Sequence, residues 1–324
     1  MFCLLSVSLA CTFDESELPT GTGVDTTGGE TTGGETTGGG GDTGGTSGGD
    51  DSGGVIDESP VPLARYRLAE QGQVNGGPLE IVDDAPNPVN LPLNVILESP
   101  SYGIDSSGNR YLRFQDSTGR RGEDTGGARL PIRNTKLEAL NGAKQLTLVA
   151  KYTVAACVDL HQRIFGFSSG GDPDENGMLI MREQSGVEFL SVKWADKAYT
   201  TAYRWETACP FVGDEGEGFV VHWVIDTEQA IPENRVRGYI NGEYGNTRIH
   251  IYFESTNEWP ILGATVDLAG GQAARLPNII LGTEADGPRT ANTHVWYAAV
   301  YDKALSAEEI AEDAGKLSDN DDGL

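Results

Sequence analysis

No lysine or arginine stands before Arg65, while eleven Asp and Glu do. The same stretch lacks the apolar side chains a core requires. Residues 20–54 hold sixteen Gly and ten Thr, and Val24 is their only aliphatic residue. Such a segment has nothing to bury against the entropy of ordering, so it is expected to stay unfolded. Cysteine and histidine are scarce over the whole chain, four of each. No CxxC spacing occurs, which removes the usual cysteine zinc sites, and the histidines at 161, 222, 250 and 294 have no metal-ligand spacing. Long hydrophobic runs are missing too: the apolar opening MFCLLSVSLA is ten residues long, and a membrane helix needs about 20. The formal net charge is −26, of which this tail carries −11 and the body −15. A chain this acidic repels phosphate backbones and anionic headgroups, which excludes nucleic acid and leaves a lipid anchor as the one expected membrane contact.

What the tail does contain is a near-perfect repeat, TTGGE-TTGGE-TTGGG, at 26–40. As a Gly-rich coil of about 45 residues it would span roughly 35–40 Å, enough to hold a folded domain clear of a surface. Ser8-Leu9-Ala10-Cys11 resembles the lipobox of bacterial lipoproteins, with Ala before the Cys and Ser in place of the usual first Leu. No basic residue precedes it, unlike most secretory signals. The resemblance implies lipidation of Cys11, and Thr12 after it fits outer-membrane sorting. The expected division is residues 1–10 as signal peptide, 11–58 as linker, 59–317 as one folded domain and 318–324 as an acidic tail. The expected location is the bacterial outer membrane or cell surface, or otherwise secretion. Only Cys157 and Cys209 then remain in the body. In an oxidising compartment they read as a disulfide, with two separate buried thiols as the alternative. A bridge closing that loop would contribute roughly 4 kcal/mol in the chain-entropy view.

From Val61 onward, short alternating segments are separated by Gly, Pro, Asn and Asp. Ala64, Tyr66 and Leu68 share one face and Arg65 and Arg67 the other. QLTLVAKYTV at 145–154 alternates over ten residues, and parts of FVVHWVID at 219–226 do the same. A period of two marks half-buried strands. RVRGYI followed by Asn241-Gly242 reads as a hairpin with a tight turn. About a dozen strands and almost no helix predict an all-β chain, a two-sheet antiparallel jelly-roll sandwich. The single helix is expected near the end, capped by Ser306 with Glu309 three residues on, and stopped at Gly315. Trp223 and Trp296, in the most regular strands, are expected in the core.

RVRGYINGE, LPNIILGTEADG and HVWYAAVYDKALSAEEI together resemble the closing half of laminin-G-like, concanavalin A-like domains. ARYRL, YLRF and the run from QLTLVAKYTV to RIFGFS fit their opening strands, so the resemblance covers about 60–315. It implies two curved sheets of about six or seven strands each. Lectins, hydrolases and adhesion modules all use this fold, so it implies no single function.

Several residue groups carry possible chemistry. Gly166-Phe167-Ser168-Ser169-Gly170 has the spacing of a nucleophile elbow, but no helix pattern follows it. Asp172, Asp174 and Asn176, with Gly177 after them, alternate as in a calcium loop and are candidates for a partial Ca2+ site. The strand-like MLIMR at 178–182 would carry Glu183 away from it, and a solvated acidic turn is the other reading. No strand bears the paired carboxylates E-x-D-x-E of the jelly-roll glucanases. Tyr199, Tyr203 and Trp205 fall in a less apolar stretch, 195–205, read as a loop, and are candidates to stack on a sugar ring. These features favour a non-catalytic, surface-displayed module for an extracellular glycan or protein. A divergent polysaccharide hydrolase or lyase, and a structural envelope lipoprotein without a ligand, are the alternatives.

Overall fold

The computed structural model describes residues 60–68, 80–94, 101–114, 127–154, 162–168, 177–182, 188–193, 200–205, 218–231, 234–245, 247–251, 265–266, 268, 276–283 and 293–318. The chain divides into two units, Met1–Ile56 and Asp57–Leu324, and all described residues belong to the second. The strands in chain order are β1 (Ala64–Arg67), β2 (Glu80–Ile81), β3 (Leu91–Asn94), β4 (Ser101–Ile104), β5 (Arg110–Phe114), β6 (Gly127–Pro131), β7 (Gln145–Val154), β8 (Gln162–Ser168) and β9 (Gly177–Arg182). They continue with β10 (Glu188–Lys193), β11 (Thr200–Trp205), β12 (Phe219–Asp226), β13 (Val236–Ile240), β14 (Glu243–Tyr244), β15 (Thr247–Ile251), β16 (Asn278–Leu281) and β17 (Thr293–Tyr301), then helix α1 (Ala307–Ser318).

They form two antiparallel sheets, as the alternation predicts. An eight-stranded sheet runs β14-β13-β12-β7-β17-β5-β4, with β1 also on β17, and a nine-stranded sheet runs β15-β11-β10-β9-β8-β16-β6-β3-β2. Both hold more strands than the resemblance implied, because two-residue pairings such as β2 and β14 leave too short a pattern to read.

Leu146, Leu148, Ala150 and Tyr152 of β7 and Val221, Trp223 and Ile225 of β12 meet Phe165, Phe167, Ile279 and Leu281 of the other sheet in one core. Tyr66 and Phe165 touch edge to face across the gap, ring centroids 6.3 Å apart. The outward residues of the eight-stranded sheet form a second core. Val149, Val220, Val224, Tyr239, Tyr297, Ala299 and Tyr301 pack under Ile310, Ala314 and Leu317 of α1. Covered on both sides, β12 is buried from Val220 to its end, which explains its weak alternation.

Asn241 (φ 50°) and Gly242 (φ 82°) make the tight turn between β13 and β14. A Cβ on Gly242 would stand 3.2 Å from the Ala311 backbone, so the turn also seats the helix. The capping box forms as read: Ser306 N–H donates to Glu309 Oε2 (2.8 Å) and Glu309 N–H to Ser306 Oγ (3.2 Å). The helix does not stop at Gly315 but runs on to Ser318. Burial of Leu317 and a hydrogen bond from Lys151 Nζ to the Leu317 carbonyl oxygen hold the last turn, outweighing the ~1 kcal/mol a helical glycine costs.

Candidate functional site

Chemistry on this scaffold depends on which polar groups the fold leaves uncommitted. Under α1, buried His222 pairs through Nε2 with Asp313 Oδ2 at 2.7 Å, and Tyr301 OH donates to Asp313 Oδ1 at 3.4 Å. Burial, then the neighbouring Tyr301 and Asp313, push the Tyr297 phenol well above its ordinary value, and burial with Asp313 does the same to Tyr301. Both phenols are therefore neutral at any physiological pH. This His–carboxylate pair lies beneath a helix and anchors it.

Three other carboxylates are buried and engaged, and of these Asp226 accepts from Glu228 N–H and from the Gln145 and Gln229 side-chain amides. Asp83 accepts from the N–H groups of Arg65, Ala85 and Val89 and from Lys136 Nζ at 2.7 Å. Asp105 closes the β4–β5 turn by accepting from Ser107 N–H and Asn109 N–H, and its Oδ2 accepts from Trp296 Nε1 at 2.9 Å. Trp296 is buried as expected, but on the outer side of its sheet. It is the bulged residue at which β17 leaves its pairing with β5 and takes up β1. Tyr111 stacks on His294 there, with ring centroids 4.3 Å apart.

The nine-stranded sheet places the sequence candidates. Asp172, Asp174 and Asn176 lie outside the described residues, as do Tyr199, Cys11, Cys157 and Cys209. The residues bounding their connections are described. Ser168, Gly177, Lys193 and Thr200 pair in one row, so the connections 169–176 and 194–199 leave the same end of adjacent hairpins. Residues 195–205 do not form a loop throughout. From Thr200 the chain is strand β11, because its β-branched and aromatic residues pair with β10 and β15. The register sets Tyr203 in the row of Phe165 and Ile180, both core residues, and Trp205 two positions further on the same face. Ser168 of the elbow-like motif is buried at the end of β8 and pairs with Gly177 of β9.

The opposite rows of this sheet contain what sequence reasoning missed. One outer row reads Arg163, Met181, Phe189, Arg204, Arg248 across β8, β9, β10, β11 and β15. The next reads Gly166, Leu179, Ser191, Ala202, His250, and the third carries Lys193. Those five strands hold five Lys or Arg and a single acid, Glu188, which sits with Gln162 and Arg182 in a core-side row. The sequence gives no signal of this, because the stretch 162–205 as a whole holds six acids and five Lys or Arg.

No protein-family model and no curated protein matches the chain. Solved structures do, at low identity. The binding domain of botulinum neurotoxin DC, in complex with rat synaptotagmin II, superposes with a TM-score of 0.50 at 9% identity, over 80% of this chain and 52% of that one. A Trypanosoma rangeli sialidase in complex with sialic acid gives 0.48 at 13%, over 79% and 33%. The Ruminococcus gnavus IT-sialidase CBM40 gives 0.40 at 14%, over 60% and 97%. The chain spans about a third of the length of the sialidases it matches. The likeness to the neurotoxin binding domain shows a shared fold and nothing more.

Proposed function

We propose that this protein is a non-catalytic, surface-displayed binding module for an extracellular glycan or protein, held at the bacterial outer membrane through lipidated Cys11. The observation that carries the reading is the engagement of the buried carboxylates. Asp83 and Asp105 are saturated by backbone N–H groups, a lysine and an indole, so each fixes a turn. General acid and base work would need carboxylates left free to exchange protons at a groove. The laminin-G-like reading is supported by the two-sheet sandwich, and by the Asn241-Gly242 turn and the Ser306 cap, both formed by residues that carry the resemblance. A long acidic Gly/Thr tether fits a role in contact at a surface.

A glycan array probed with the full chain, with Ca2+ and with EDTA, tests the reading. Retention of a glycan without release of new reducing ends is the expected result. Turnover of the bound glycan would overturn it in favour of a hydrolase or lyase. Dependence on Ca2+ would assign Asp172, Asp174 and Asn176 as its ligands, and intact-mass analysis of the mature protein tests acylation of Cys11.

A further inference from the structure

We infer that the pair His222–Asp313 is a pH-sensitive latch, which holds α1 on the eight-stranded sheet at neutral pH and releases it in mild acid. The inference is independent of the binding reading above. Its basis is a count of protons against acceptors. His222 is fully buried, and its Nε2 lies 2.7 Å from Asp313 Oδ2. The other carboxylate oxygen takes the Tyr301 hydroxyl at 3.4 Å, and Tyr301 is in turn hydrogen-bonded to Tyr297. Asp313 thus accepts on both oxygens as a carboxylate, which leaves the proton of the central bond on Nε2. His222 Nδ1 is shut off from solvent and has no hydrogen-bond partner. A neutral ring puts only a lone pair there. A protonated ring would bury a second N–H with nothing to receive it, at the full cost of its desolvation.

The groups around the ring fit this assignment. Directly opposite in register stand Val149 of β7 and Tyr239 of β13, which bring no charge. Diagonal to it are two cations, Arg237 on β13 and Lys151 on β7, whose Nζ donates to the Leu317 carbonyl oxygen. From β17 come Tyr297 and Tyr301, both neutral, and both phenols sense Arg65 of β1, which is paired with Asp84. On α1, Glu309 and Glu312 are taken by Lys303 and Lys316, so Asp313 is the acid the helix brings to the ring. Its charge has Lys151 and Arg237 nearby, and a proton on His222 would add a further cation beside them. Once α1 lifts, the ring meets water and takes a proton on Nδ1 in the ordinary imidazole range, about pH 6.5. Uptake then belongs to the released state alone. Docking is therefore undisturbed above that range and weakens as pH falls through it. Release bares Val220, Val224, Tyr239 and Tyr301, an apolar face that α1 otherwise covers.

Amide hydrogen exchange of the full chain tests the inference. With one proton taken up on release, the α1 amides are expected to exchange about tenfold faster, relative to their intrinsic rates, at about pH 5.5 than at about pH 7.5. The amides of β12, paired to β7 and β13, should keep their protection. His222→Gln, whose side-chain amide still donates to Asp313, should abolish the difference, and Glu312→Gln on the outer side of α1 should preserve it. Nitrogen-15 spectra of the imidazole read the same proton in the parent chain, whether or not the variants fold. They are expected to show His222 as the Nε2–H tautomer at both pH values while α1 is docked. Protection of α1 that is unchanged or greater at the lower pH would overturn the inference. So would a doubly protonated His222 ring under a docked helix, a pH effect that survives His222→Gln, or loss of β12 protection together with that of α1.

Discussion

The two sheets share one core, and they differ in what the described residues lay over their outer sides. The eight-stranded sheet has a helix over Val149, Val220, Val224, Tyr297, Ala299 and Tyr301, and its polar outer residues are spent on that helix: His222 on Asp313, Lys151 on the Leu317 carbonyl. Among the described residues no α-helix packs on the nine-stranded sheet, yet Arg163 and Ser168 on the outer rows of β8 are buried. A strand covered on both faces reads as a continuous apolar run, like FVVHWVID, while one with a single core face keeps its polar alternation, like ARYR of β1. The helix side of the eight-stranded sheet thus carries a second packed layer that adds to the shared core.

The comparison breaks first in the shared core. Trp223→Ala, at the centre of the interface between the sheets, is expected to cost about 3–5 kcal/mol in urea unfolding. A loss below about 1 kcal/mol would mean that the sheets do not share one packed interior. Next comes the helix. Ile310→Ala removes a fully buried side chain that touches only the outer cluster and should cost about 2–4 kcal/mol. If it lowered stability by less than about 0.5 kcal/mol, α1 would be an appendage and the contrast between the two faces would lose its basis.

How much of this was legible depended on whether the signal was local. The capping box, the Asn241-Gly242 turn and the alternation of Ala64, Tyr66 and Leu68 are decided by residues within a few positions, and the structure forms all three. The end of α1 was misread because Leu317 is held by Lys151, distant in sequence. Trp296 was correctly placed as buried, yet its role at the switch from β5 to β1 depends on three strands at once. Arg204 and Arg248 are ordinary residues of two separate segments, and only the register makes them partners. The candidates at Asp172, Asp174, Asn176 and Tyr199 lie outside the described residues. The two hairpins that carry their connections are adjacent, which the sequence could not show.

A smaller effect sharpens the helix side. Ser306→Ala removes the acceptor for Glu309 N–H and should cost about 1 kcal/mol. The Glu309 carboxyl adds a pH signature. Burial would raise its pKa, but hydrogen bonds from Lys303 and Ser306 outweigh this and hold it below the ordinary value. A carboxyl lowered on folding contributes stability that is present above its unfolded pKa and lost as pH falls through the folded one. The cap's contribution should therefore be constant near neutrality and fade in the acid range below about pH 4.5. Glu309→Gln should remove that pH dependence.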